Sequence, residues 1–139
     1  MKPLLSLLLL ALLLAGCGIP RRPEGAALNE YLQFAGPPVD QVRFFRLDSW
    51  EVVGRYQLVI YVTPWEAYLT TVAAPCEQLG WVNRLGVTST VGTLSKFESV
   101  VMRDNQHCPI LELRPVDVKA LKAHRRDERA AALAAATPH

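Results

Sequence analysis

Gln57-Leu58-Val59-Ile60-Tyr61-Val62-Thr63-Pro64-Trp65-Glu66-Ala67-Tyr68-Leu69-Thr70-Thr71-Val72 decides the fold class of this chain. Gln57 to Val62 is nearly all apolar and rich in β-branched and aromatic residues, the composition of a central strand buried on both faces. The residues after Val62 admit two readings. Thr63 stands three residues before Glu66 with Pro64 between, a capping-box pattern that starts a helix. Trp65, Tyr68, Leu69 and Val72 would then share one helical face. Pro64 equally suits position i+1 of a type I turn, which makes Tyr68 to Val72 the return strand of a hairpin. The β-branched run Thr70-Thr71-Val72 favours the hairpin.

Outward from this centre the pattern stays β. Val42 to Leu47 is rich in β-formers, and Trp50 to Val53 comes after a turn-like Asp48-Ser49. Gly80-Trp81 and Asn83 to Gly86 read as loop. Val87 to Val91 alternates as a half-buried strand does, Phe97 to Met102 is a further strand, and Asp104-Asn105 a turn. Ile110 to Arg114 is the last strand, which Pro115 either stops or marks as an edge. Two helices flank the β region. Ala27 to Phe34 forms a short one, ended by Gly36-Pro37-Pro38. Val116 to Ala136 is helical by propensity, docked through Val118 and Leu121. Past about Arg126 its alanines have too little side chain to bury, so the tail is expected to project and fray. The expected class is α+β and β-rich: a small, mostly antiparallel sheet or partial barrel with a C-terminal helix.

The N-terminus speaks to location. Lys2 precedes the apolar run Leu4 to Leu14, whose eleven residues span roughly 16 Å as a helix, too short to cross a bilayer. Leu14-Ala15-Gly16-Cys17 resembles a bacterial lipobox. Residues 1–16 are then a signal peptide, and Cys17 carries the thioether-linked diacylglycerol and a further acyl chain such as palmitate. Two or more chains anchor stably where one does not. Gly18, with no Asp after the Cys, points to the outer membrane, facing the periplasm. Residues 17–41 read as lipidated Cys and tether, 42–123 as the β-rich domain, and 124–139 as a helical or disordered tail.

Of 139 residues, 123 remain after residue 16, enough for one small domain. The chain carries 15 Lys+Arg against 13 Asp+Glu, and losing Lys2 leaves it close to neutral. That balance argues against a nucleic-acid partner, which needs a clustered basic face. Lys119 to Arg129 is the exception: five cations against Asp127 and Glu128 leave +3, an attraction for anionic headgroups or an acidic partner. With Cys17 assigned to lipid, Cys76 and Cys108 form an even pair in an oxidising compartment and read as one disulfide. The competing reading is a metal site of Cys76, His107 and Cys108, for which no fourth ligand has suitable spacing.

No catalytic constellation emerges. The histidines are His107, His124 and His139, and no Gly-x-Ser-x-Gly elbow presents a serine to any of them. Asp48, Glu51, Glu66, Glu98 and Glu112 would have to converge in space to hydrolyse a glycoside. Glu98, if buried on a strand face with Val100 and Met102, needs a partner, with Arg114 and Arg46 as candidates. Trp50, Trp65 and Trp81 lie near expected turns, where aromatics either cap the core or contact a ligand. The expectation is therefore a non-catalytic binding or structural role without cofactor, the membrane being reached through Cys17 and a further partner being an envelope protein or the cell wall. The alternative is a small envelope hydrolase using His107 or the scattered carboxylates.

One resemblance covers roughly Val42 to Lys122. Phe45-x-Leu47 before Trp50, Leu58 to Val62 with Ala67-Tyr68-Leu69, Pro75-Cys76-x-x-Leu79, Phe97-Glu98-x-Val100, and Cys108-x-Ile110-x-x-Leu113-Arg114-Pro115-Val116-Asp117 resemble small proteobacterial envelope proteins, often lipoproteins, of domain-of-unknown-function family 6491. That family usually carries Asp where this chain has Glu98. The resemblance implies an envelope location and a β-rich fold with paired cysteines, and no activity.

Overall fold

The computed structural model describes residues 23, 25–89 and 92–137. The segment expected as signal peptide, Cys17 and most of the expected tether lie outside them. With elements numbered in chain order, β3 (Gln57–Thr63) turns through Pro64-Trp65 into β4 (Glu66–Val72), antiparallel from Gln57 opposite Thr71 to Thr63 opposite Glu66. The hairpin reading of 64–73 thus holds. Thr63 serves the turn rather than a helix cap, its hydroxyl accepting from the Trp65 amide at 3.2 Å.

Four more strands extend the hairpin: β2 (Ser49–Val52), β8 (His107–Val116), β7 (Ser99–Val101) and β5 (Gly86–Val87), in the order β2-β3-β4-β8-β7-β5 and antiparallel throughout. The sheet curls into a half-barrel. A separate ribbon pairs β1 (Gln41–Arg43) with β6 (Thr93–Ser95). Among the described residues two α-helices accompany the sheets, α1 (Ala26–Gln33) and α2 (Val118–Ala136). The class is the expected one: α+β, β-rich, with a C-terminal helix.

The period of two along the strands sorts side chains into two cores. Leu58, Ile60, Tyr68 and Val72 join Leu79, Leu94, Val100, Ile110 and Leu113 on one face. Val59, Ala67, Leu69 and Val116 join Tyr31 of α1 and Val118 and Leu121 of α2 on the other. Every residue of both cores lies between Ala27 and Leu121. β8 serves both through a bulge. Thr71 pairs with Glu112 and Val72 with Ile110, so Leu111 is the extra residue and projects to solvent, 58% exposed. The bulge shifts parity by one, which returns Leu113 to the face of Ile110 and sends Val116 to the helices.

Several boundaries differ from the sequence reading. The run expected as a strand over Val42 to Leu47 leaves the ladder after Arg43, and Phe45 is fully exposed. Of the strand expected over Val87 to Val91, Val87 pairs in β5 and the Thr88 amide donates to the Ser99 carbonyl at 2.8 Å, while Thr90 and Val91 lie outside the described residues. Gly80-Trp81 is not loop but the end of a 3-10 turn, Glu77–Trp81. Pro115 does not stop β8: its nitrogen faces the same side as its carbonyl, which accepts the Gly36 amide at 2.8 Å, so the missing N–H costs β4 nothing. α1 lies within the segment read as tether, yet buries Tyr31 completely, so the folded unit begins before residue 42. α2 stays helical to Ala136, and from Arg126 onward it is exposed, so the tail projects as expected. Asp117 caps the helix by accepting from the Ala120 amide at 2.9 Å, and Val118 and Leu121 dock it as expected.

Candidate functional site

Cys76 and Cys108 form a disulfide with their Cα atoms 5.9 Å apart, inside the larger core. The sulfurs of the alternative metal reading are thereby consumed. His107 sits exposed at the start of β8, its Nε2 3.2 Å from Asn105 Oδ1.

The helix-side core holds a polar network. Arg125 of α2 donates to both carboxylate oxygens of Glu30 on α1, from Nε at 2.7 Å and Nη2 at 3.1 Å. Its guanidinium also lies over the Tyr31 ring, 5.1 Å from the centroid. The Tyr31 hydroxyl donates to Glu51 of β2 at 2.6 Å and shares a 2.9 Å bond with the Tyr61 hydroxyl of β3. Burial, then the Glu51 bond, raises the Tyr31 phenol far above its usual range. The Glu30 bond raises the Arg125 guanidinium likewise. Arg125 and Glu30 match in charge and Tyr31 bonds the sheet residues Glu51 and Tyr61, so the network fastens α1 and α2 to the sheet. Phe34 extends the seam by contacting the His124 ring at 5.4 Å, so His124 packs against α1 instead of projecting.

The hairpin tip carries the exposed chemistry. Trp65, at the turn, is 73% exposed, and Lys122 of α2 lies over its ring, 3.8 Å from the centroid, while donating to the Pro64 carbonyl at 3.0 Å. A groove of about 530 Å³ runs from Trp65 along Lys119, Lys122, Arg125, Arg126 and Arg129. Helical spacing explains the alignment: 119, 122, 126 and 129 fall on one face, and Asp127 and Glu128 on others. On the far side of the turn a second groove, of about 420 Å³, is walled by Arg43, Phe45, Arg46, Asp48, Pro64 and Glu66. Tyr68 donates to Glu66 at 2.5 Å, and burial together with that bond pushes the phenol up to about 12.

The structure separates most of the residues singled out from sequence. Trp50 is no loop-tip aromatic; it lies half-buried on β2 against the larger core. Trp65 and Trp81 do not close the core: both are exposed, Trp81 at 90% beside Gln78 and Arg103. Glu98 precedes β7 instead of lying on it, so the face argument for it fails. It accepts from the Thr88 hydroxyl at 2.8 Å, and Arg114 bonds Glu112 at 2.7 Å. Of the five scattered carboxylates, Asp48 and Glu66 share the second groove; Glu51, Glu98 and Glu112 bond to three different neighbours. In the sequence Trp65 and the +3 stretch stand as separate features. Phe45, Arg43 and Arg46 carry no site signal there; they line the groove beside Pro64 because the chain leaves the ladder at Phe44.

The model of one protein family, described as Family of unknown function (DUF6491), matches residues 1–132. No curated protein matches the chain, and no solved structure does.

Proposed function

The chain belongs to that family of unknown function, and from this premise we propose that it is a lipid-anchored envelope protein. Its domain faces the periplasm from the outer membrane and has a non-catalytic binding role. The observation that carries the binding role is the hairpin tip, where an exposed Trp65 lines a groove of cations and Pro64 beside it lines a second groove of mixed charge. Such a surface attracts an anionic group and offers an apolar face beside it. The anchoring rests on Leu14-Ala15-Gly16-Cys17 behind a short apolar run. The disulfide suits the oxidising side of the inner membrane.

The experiment is metabolic labelling with a palmitate analogue, then fractionation of the parent and of Cys17→Ser. Label on the parent alone, with the variant left as precursor or released, supports the anchor. A variant that matures and fractionates like the parent rejects it. A second reading, a small hydrolase, is favoured by Asp48 and Glu66 sharing a groove. It requires turnover of a chromogenic glycoside that Asp48→Asn abolishes.

A further inference from the structure

We propose that the hairpin tip is a membrane-contact face that seats Trp65 and Phe45 at the headgroup level of an anionic phospholipid bilayer. This deepens the binding role above by naming what the face binds.

Two independent features converge on one end of the molecule. The first is aromatic: Trp65 is 73% exposed at the turn, and Phe45, beside the same turn, is 109% exposed. A lone exposed aromatic is ordinary, but two flanking one proline turn form a wedge, and aromatic rings favour the membrane–water interface. The second is charge. The walls of the two grooves supply Arg43, Arg46, Lys119, Lys122, Arg126 and Arg129, against Asp48 and Glu66, so 6 − 2 = +4. Arg125 is left out because Glu30 matches it. The whole chain carries only +2, so the tip is more basic than the molecule. Cations around an apolar wedge are the pattern of an interfacial anchor, each contributing an attraction that salt screens.

The attachment permits this contact without lying beside it: Leu28 of α1 packs at Gly54, in the turn at the opposite end of β3 from the tip, and the seven residues of β3 span about 23 Å. Eight residues, 18–25, separate Cys17 from α1, and fully extended they reach about 28 Å. A domain held on so short a tether meets the lipid surface at high effective concentration, so a weak face is enough to fix its orientation.

The test uses residues 17–139 with Cys17→Ser, which retains every element of both cores and carries no acyl chain. Its outcome is therefore independent of whether Cys17 is lipidated. Vesicles of phosphatidylglycerol with phosphatidylcholine are compared with phosphatidylcholine alone, by co-sedimentation and tryptophan emission; a Trp65→Phe variant isolates the Trp65 signal. The expected result is binding to the anionic vesicles with a blue shift from Trp65. Binding should be lost as salt shortens the screening length to about 3 Å near 1 M. Lys119→Gln, Arg126→Gln and Arg129→Gln should each weaken binding roughly fivefold, and together on the order of a hundredfold. Phe45→Ser should weaken it with no change in salt dependence. Unchanged melting temperatures confirm that each variant folds. Equal binding to both vesicle types, or a triple variant that binds like the parent, overturns the proposal. So does polyglutamate that binds more tightly than the vesicles and leaves Trp65 unshifted, which would assign the face to an acidic protein.

Discussion

Replacing Cys76 and Cys108 together by alanine should cost this domain a large part of its stability, and the structure sets the size of the loss. The cysteines are 32 positions apart, closing a loop of 33 residues. In the chain-entropy account that closure stabilises by about 3.7 kcal/mol at 25 °C. Both cysteines are 1% exposed inside the larger core, so truncation to alanine also forfeits packing, about 1 kcal/mol in total. For a domain of this length each kcal/mol moves the melting temperature by roughly 4 °C, so the variant should melt about 15–20 °C below the parent. Circular dichroism melts without reductant measure it, with the parent under reductant as the matched control. The loss should also be local first. The closed loop contains β5, β6 and β7, so hydrogen exchange in 77–107 should accelerate before exchange in α2. A melting temperature lowered by less than about 5 °C would refute the energetic reasoning. Accelerated exchange on the helix side alone would refute the assignment of the bond to the loop.

Further expectations concern the helix seam and the tip. Arg125→Ala should destabilise by about 2–3 kcal/mol in chemical denaturation, less than for a fully buried pair because the Arg125 side chain is 35% exposed against 7% for Glu30; adding Glu30→Gln should recover part of the loss, and a harmless Arg125→Ala would show that apolar contacts alone hold the seam. The Tyr68 phenol, raised to about 12, should ionise later than an ordinary tyrosine in ultraviolet titration, and Glu66→Gln should bring it down. Because its folded value lies above the unfolded 10, its contribution to stability is intact below pH 10 and lost as pH rises through 12; Tyr68→Phe should remove that part of the alkaline decline. Truncation after Arg126 should leave the melting temperature nearly unchanged, because Asp127 to Ala136 are all exposed, while anionic vesicle binding weakens through the loss of Arg129.

How much the sequence disclosed depends on the range of the forces involved. The hairpin was legible because Thr70-Thr71-Val72 and Pro64 are local signals, read within a few residues. The disulfide was legible by counting. The docking of α2 was legible because Val118 and Leu121 are its only large apolar residues before the exposed Leu133. The β1–β6 ribbon was not legible: it joins two three-residue segments some fifty positions apart, and Thr93-Leu94-Ser95 alone resembles loop. The bulge at Leu111 was hidden because an apolar residue in an apolar strand gives no sign that it faces water. The Glu30–Arg125 pair links positions 95 apart. Of the candidate site, the cations and Trp65 were visible as features of separate elements. Their meeting at one end depends on the turn of the hairpin against α2.

The seam between α1 and α2 also decides how the domain bears load. Any pull along the N-terminal segment enters the fold at Gly25 and travels into α1. α1 is fixed by Tyr31 to Glu51 and Tyr61, by the bidentate Glu30–Arg125 pair, and by Phe34 against His124. None of these is an inter-strand backbone bond, so tension is not delivered to a free strand end that could be peeled off one bond at a time. It arrives on several side-chain contacts that must yield together, with two strands and a second helix as the backing. Were the domain hung by its N-terminus from a moving surface, as proposed above, this arrangement would grip it at its middle.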